Sequence, residues 1–280
     1  VAARAEELGL PVIKADGFLT DDGEAAIEQL KALQPDIGAV VAYGGLLPQH
    51  VLDMLPKGWV NLHFSLLPAY RGAAPVQWAM INQETETGAA IFQLESGLDT
   101  GPVFSTVSRP LAADETAGEV LAELAKTGAE LLATTLSDIA AGSAEPTPQQ
   151  GQVTWAPKLT SHQAKIDPAQ PAEAVRGLIN GTSPAPGAWG PLTSGDGAPQ
   201  RFKIGRARPV ENQPEHDLQP GQFILEAKRA LLVCQDGVIE LTDVQPAGKK
   251  MMRATDWARG VDDPVRLQTS LTHPDEFQVN

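Results

Sequence analysis

The chain has 280 residues, 42% of them hydrophobic and 20% charged, which is about two ordinary domains' worth of material and argues against wholesale disorder. A formal net charge of −14 speaks against a protein that grips nucleic acid by bulk electrostatics. No apolar run approaches the roughly 20 residues of a bilayer span, so no membrane partner is expected. The single Cys234 and five scattered histidines provide neither an internal disulfide nor a zinc-ligand spacing, so a reducing cytoplasm and no metal are expected. The sequon Asn180-Gly181-Thr182 is then chemically idle.

The chain opens at Val1 directly on a helical pattern. Pro11 to Lys14 reads as a short strand, followed by a Thr20 cap and an amphipathic helix with Ala26, Ile27, Leu30 and Leu33 on one face. Ile37 to Tyr43 is apolar almost without interruption, as a parallel strand buried on both faces would be. A short helix from Pro48 to Leu55, a strand from Trp59 to His63 and a helix from Pro75 to Asn82 follow. Strands are then expected over Gly88 to Leu94 and Val103 to Arg109, and the longest helix over Asp114 to Ala140. The pattern predicts an α/β domain, an open and mostly parallel Rossmann-like sheet with helices on its faces, over residues 1–142.

Between 143 and 155 hydrophobicity collapses and helix breakers cluster, which reads as a linker. Residues 156–280 give a helix at Ala172 to Ile179 and strands at Phe202 to Ala207, Gly221 to Glu226, Ala230 to Cys234 and Gly237 to Val244. Such short strands close most naturally as a small OB-like β-barrel. The charge divides in the same way: residues 1–155 carry 7 Lys and Arg against 20 Asp and Glu, residues 156–280 carry 14 against 15. Local basic groups at Arg201, Lys203, Arg206 and Arg208 and at Lys249, Lys250 and Arg253 therefore matter more in the second domain than its net charge.

The segment from Val60 to Pro75 carries the most chemistry. Strand side chains alternate, so Asn61, His63 and Ser65 point to one side near a strand end, and Pro68 stops the strand. Carboxyl ends of strands are where open parallel sheets bind ligands. A neutral amide donor beside an imidazole suits an oxygen that gains negative charge at a tetrahedral centre. Taken alone, the two residues could equally satisfy backbone groups at a sheet edge. A second segment, Leu94 to Gly101, presents Asp99 in a glycine-flanked turn, and by itself Asp-Thr-Gly is also ordinary Asx-turn chemistry. Gly44 and Gly45 follow a strand and would expose backbone amides or merely turn the chain. Arg71 suits a substrate phosphate or carboxylate, or a surface salt bridge. Lys249 to Arg253 suits a nucleic-acid backbone, or a solvated charge run ahead of a helix at Thr255. His50, His162, His216 and His273 have no partner constellation and read as structural or surface residues.

Together, Asn61-x-His63-x-Ser65-Leu66-Leu67-Pro68, then Arg71-Gly72, then Gly97-Leu98-Asp99-Thr100-Gly101 resemble the formyltransferase family that uses 10-formyltetrahydrofolate, in both order and spacing. The resemblance covers nearly the whole chain. The stretch Leu241 to Met252, with Gln245-Pro246-Ala247-Gly248-Lys249-Lys250-Met251-Met252, resembles the members that formylate methionyl-tRNA. It implies a transferase in which Asn61 and a charged His63 hold the formyl oxygen as the methionyl α-amine attacks. Asp99 would keep His63 charged and help move a proton towards the departing folate nitrogen. It further implies a folate site formed by Ser65, Leu66, Leu67, Pro68, Tyr43, Gly44, Gly45, Leu46 and Glu95. Contacts to initiator methionyl-tRNA would come from Arg71, Arg206, Arg208, Lys249, Lys250 and Arg253, with no DNA partner, no metal and a monomeric state. Other enzymes of 10-formyltetrahydrofolate, a glycinamide ribonucleotide formyltransferase or a formyltetrahydrofolate hydrolase, would use the same three residues, but the purine enzyme has no need of a C-terminal β-domain. A non-enzymatic RNA-binding module would have lost the triad. In the family a βαβ segment and a basic loop precede the point where Val1 stands, so the native protein is expected to be longer, or this chain poorly active alone.

Overall fold

The computed structural model describes residues 1–18, 20–226, 228–261 and 264–268; His273 lies outside them. By internal contacts the chain divides into two compact units: Val1–Ala73 with Gly88–Ser108 and Leu124–Trp155, and Ala74–Thr87 with Arg109–Glu123 and the chain from Ala156 onward.

The first unit begins with α1 (Ala2–Glu7) and α2 (Asp21–Ala32), which Thr20 precedes as the N-cap residue. The strands and helices that follow along the chain are β1 (Gly38–Val41), α3 (Gln49–Leu52), β2 (Trp59–His63), α4 (Pro75–Ile81), β3 (Glu86–Gln93), β4 (Val103–Pro110) and α5 (Ala117–Ala141), of which α4 and the first turns of α5 belong to the second unit. The sheet runs β1-β2-β3-β4; β1 lies parallel to β2, whereas β2 and β3 are antiparallel, so the open sheet is mixed where a mostly parallel one was expected. Pro11 to Lys14 forms no strand, because no described strand lies beside it to take its backbone hydrogen bonds. β1 is shorter than the apolar run that predicted it, and it is not covered on both faces: Gly38 is buried and Val40 half-buried, while Ala39 and Val41 are exposed. As the outer strand of this sheet it has only β2 beside it.

One face of the sheet meets α2 and α3 through a cluster of Ile27, Val51, Leu55 and Trp59, with Leu30, Val40 and Leu47 packed around it. Leu33, expected on the same face, lies past the end of α2 and is exposed. Trp59 orders this layer. Its Nε1–H donates to Val51 O at 2.7 Å, and its ring lies over Gly38, its strand partner, where a Cβ would come within 2.1 Å of the indole. The other face is covered by α5, whose Gly128 lets Leu62 approach; a Cβ there would stand 2.9 Å from the Leu62 methyl.

The second unit contains α4, α6 (Ala172–Gly181), β5 (Ala188–Ser194), β6 (Gln200–Pro209), β7 (Phe223–Leu225), β8 (Ala230–Val233), β9 (Val238–Gln245), β10 (Met252–Arg253), α7 (Ala254–Ala258) and β11 (Val265–Leu267). Its antiparallel sheet runs β11-β5-β6-β9-β8-β7 with β10 on β9. A bridge between Gln222 and Arg266 brings the two ends of that order together, so the sheet is nearly closed, as the expected barrel requires. β5 escaped the sequence reading because it contains Gly190 and Pro191. The Pro191 carbonyl accepts Gln268 N–H at 2.9 Å, so its missing N–H lies on the β11 side, just beyond the last paired residues Leu192 and Leu267, where the ladder ends. Ile166, Ile179, Phe202, Ile204, Leu232, Ile239 and Leu241 fill the interior, with the Trp257 ring 4.7 Å from that of Phe202. Burial, aided by Asp236, pushes the Cys234 thiol up to about 12, which keeps it protonated and inert.

Asn180 of the idle sequon is fully buried, only 1% exposed, and holds a bulge of β6. Its side-chain amide donates to Ala207 O and accepts Ala207 N–H, both at 2.9 Å, where the β6–β9 register shifts. Asn180→Leu keeps the volume but strands two buried backbone groups. It is expected to lower the unfolding free energy by about 2–4 kcal/mol, measured by urea denaturation.

Candidate active site

The alternation of β2 places Asn61 and His63 on one face, together with their strand partners Phe92 and Ala90. His63 is 6% exposed and meets the Phe92 ring edge to face at 6.2 Å; Asn61 is half-buried, and its amide makes no hydrogen bond to another described residue. A donor at the strand face with no internal partner is available to a ligand.

Asp99 comes from the loop between β3 and β4. The base of the loop is tied by Gln93 N–H to Pro102 O at 2.9 Å and Leu94 N–H to Trp59 O at 2.8 Å. At Gly101 a Cβ would fall 1.8 Å from Gln93 O, so only glycine fits. Asp99 has a φ of +52°, a left-handed backbone that Asp tolerates better than most residues. Its carboxylate does not form the local Asx turn that the sequence left open. Instead Oδ2 accepts Gly72 N–H at 2.7 Å and stands 3.8 Å from His63 Nδ1.

The far side of the imidazole is bound as well: Nε2–H donates to Tyr70 O at 2.9 Å, which selects the Nε2–H tautomer and turns the Nδ1 lone pair towards Asp99. Burial pulls the His63 pKa below 6.5 and outweighs the upward pull of Asp99 and of the Tyr70 carbonyl. Burial thus favours the neutral ring, while the Asp99 carboxylate 3.8 Å from Nδ1 favours the charged one. The Tyr70–Gly72 backbone thus holds both members of the pair.

The remaining candidates are spread over several segments. Ser65 and Pro68 are buried beyond β2, Leu66 and Leu67 half-buried, and the Ser65 hydroxyl is spent on Ala69 O at 2.6 Å. Tyr43, Gly44, Gly45 and Leu46 form an exposed loop after β1, which leaves the sheet at the same end as His63 because β1 and β2 are parallel; Glu95 is exposed on the Asp99 loop. Arg71 forms no ion pair with a described residue, since its Nε and Nη2 donate to Gln149 Oε1 at 3.2 and 2.6 Å. In the second unit Arg206 pairs with Glu119 and Arg208 with Asp114, so both are already engaged, while Lys249, Lys250 and Arg253 make no ion pair with a described residue.

Sequence reading missed the parts played by Tyr70, Gln149 and Thr154 and the role of the Gly72 amide, which act through backbone, amide or hydroxyl groups. Gln149 and Thr154 lie where the composition predicts only a linker, yet this stretch is bound to the first unit. Thr147 bridges Val103, and Thr154 takes Tyr70 N–H on its hydroxyl and Arg71 N–H on its carbonyl at 2.8 and 2.9 Å.

The formyl transferase profile matches residues 3–136 and the formyl transferase C-terminal domain profile residues 158–262, so the class is that of the formyl transferases. Among solved structures, HypX from Aquifex aeolicus in complex with tetrahydrofolic acid superposes with a TM-score of 0.63 at 18% identity, over 84% of this chain and 40% of that one. The sugar 3N-formyl transferase WlaRD does so with a TM-score of 0.58 at 16% identity, over 76% and 73%; both likenesses concern the fold. The methionyl-tRNA formyltransferase of Renibacterium salmoninarum is 50% identical over 93% of this chain and 81% of its own length. That of Thermobifida fusca is 47% identical over 93% and 81%. The chain belongs to the methionyl-tRNA formyltransferase family.

The depressed His63 pKa has a consequence for stability. Below 6.5 the unfolded chain binds a proton at this residue that the native state refuses, so the contribution is complete above 6.5 and is lost as the pH falls towards the native value. In that window the wild-type chain is expected to lose up to about 1.4 kcal/mol per pH unit relative to His63→Gln, read as the difference between their unfolding free energies against pH.

Proposed function

We propose that this chain transfers the formyl group of 10-formyltetrahydrofolate to the α-amino group of methionyl initiator tRNA, using Asn61, His63 and Asp99. The observation that carries the reading is the placement of a buried His63–Asp99 pair, oriented from behind by Tyr70 and Gly72, beside the Asn61 amide on the same strand face, which has no hydrogen-bond partner among the described residues. The Asn61 amide donates to the formyl oxygen, where charge accumulates as the amine adds. The methionyl amine arrives as an ammonium and must lose a proton before it can attack. The amine loses two protons in becoming an amide: the first leaves to solvent before attack, and the second, shed as the amine adds, is accepted by Nδ1 of His63 beside the Asp99 carboxylate and returned to the departing folate nitrogen. A protonated His63 then adds its charge to the stabilisation of the oxyanion. Exposed Val41, Tyr43, Leu46 and Leu98 offer apolar surface to a flat pterin, with the amides of Gly44 and Gly45 beside it.

In this reading residues 1–142 form the catalytic domain, 143–155 the connection, and 156–280 an OB-like domain that docks the tRNA. Arg71 takes a phosphate or carboxylate of a substrate. Lys249, Lys250 and Arg253 meet the phosphate backbone, and Arg206 and Arg208 join them by exchanging Glu119 and Asp114 for phosphate. The enzyme acts as a cytoplasmic monomer and needs no DNA, membrane or metal.

Two measurements test the reading. Formyl transfer from 10-formyltetrahydrofolate is followed with methionyl-tRNA and glycinamide ribonucleotide side by side. Transfer to methionyl-tRNA alone is expected, with kcat reduced about 10²–10³-fold in Asn61→Ala; transfer only to the small amine would overturn the assignment. Replacing Lys249 and Lys250 together by Ala is expected to raise KM for the tRNA about 10-fold and to flatten its dependence on salt, leaving kcat within about twofold.

A further inference from the structure

The side chain of Gln149 uses its hydrogen-bonding capacity on two segments of the site at once. Its Oε1 accepts two guanidinium N–H groups of Arg71, and its Nε2 donates to the carbonyls of Asp99 and Gly101, both at 2.8 Å. Donors on one side and carbonyls on the other fix which end of the amide is which. A carboxylate would face two carbonyl oxygens, and a lysine would face the guanidinium; only a carboxamide meets both. The Asp99 carbonyl it holds belongs to a residue at φ +52°, a backbone that needs such support from its surroundings. Asp99 is thereby joined to the Tyr70–Gly72 segment twice, directly from Gly72 N–H and through Gln149 to Arg71.

We propose that Gln149 is a positioning residue of the transfer reaction: its carboxamide locks the Asp99 loop to Arg71, so that the carboxylate keeps its place beside His63 and the guanidinium keeps its direction. The inference rests on the function proposed above. Gln149 touches neither His63 nor the carboxylate, and it acts through the backbone on one side and through the Arg71 side chain on the other. Around His63 stand the Asp99 carboxylate from the β3–β4 loop, the Tyr70 carbonyl from the segment after β2, and the uncharged Phe92 ring of β3.

The test compares Gln149→Met, which keeps the volume without the hydrogen bonds, with Gln149→Ala and with the exposed neighbour Gln150→Met as control. Single-turnover formyl transfer separates the rate constant from the amplitude, which reports the folded fraction. In Gln149→Met the rate constant is expected to fall about 10–100-fold at full amplitude, as for a displaced catalytic group, and as far as in Gln149→Ala. A rate constant within twofold of wild type, or a defect confined to amplitude and thermal midpoint, would overturn the proposal. Titration of the His63 ring by ¹⁵N NMR decides the matter without substrate. Its midpoint is expected to differ between wild type and Gln149→Met and not between wild type and Gln150→Met, and an unchanged midpoint would overturn the positioning role. If the wild-type chain formylates neither acceptor, the proposed function fails, and the NMR comparison still decides the role of Gln149.

Discussion

The Tyr70–Gly72 backbone is the constraint on which the site depends. Within three residues it supplies the carbonyl that binds His63 Nε2–H and the amide that binds the Asp99 carboxylate. Neither partner could hold itself: His63 sits at the end of a strand, and Asp99 on a loop that starts from the opposite end of the neighbouring strand. A buried imidazole and a buried carboxylate without such anchors would each carry a desolvation cost with no compensation. Backbone groups are suited to the task because they have no rotamers to lose and no charge of their own.

That segment is in turn held from outside. Thr154 takes the N–H groups of Tyr70 and Arg71, and Gln149 takes the Arg71 guanidinium, so a stretch with the composition of a linker serves as a wall of the site. The burial that lowers the His63 pKa follows from the same enclosure, with Phe92 on one side and the Asp99 loop on another. Enclosure and proton affinity are thus one property: a ring packed this tightly resists charge until a nearby proton transfer repays it.

The second unit solves a different problem. Its short strands close around a core: the two ends of the sheet meet at Gln222 and Arg266, and Asn180 satisfies the backbone at the bulge of β6. The basic residues on this unit are not equivalent. Arg206 and Arg208 are committed to Glu119 and Asp114, whereas Lys249, Lys250 and Arg253 are not, a distinction that depends on which acidic residues of the 109–123 segment stand opposite them.

Most helices and strands were legible in the sequence, because periodicity and breakers are local: β2 spans Trp59–His63 as read, and α4, β3, β4 and α6 differ by only a few residues at their ends. The chemistry of Asn61, His63 and Asp99 was legible as residue types in a family-like order. Four things were not. Pro11 to Lys14 has a strand-like composition but no described neighbour to pair with, and β5 hides Pro191 at the end of its ladder with β11. The pull of burial on His63 was hidden, since desolvation is a property of what packs around a ring and the sequence shows only its partners. Gln149 and Thr154 carried no signal at all, because an amide or hydroxyl becomes a structural clamp only when tertiary folding brings donors and acceptors from 50 and 84 residues away within hydrogen-bonding distance.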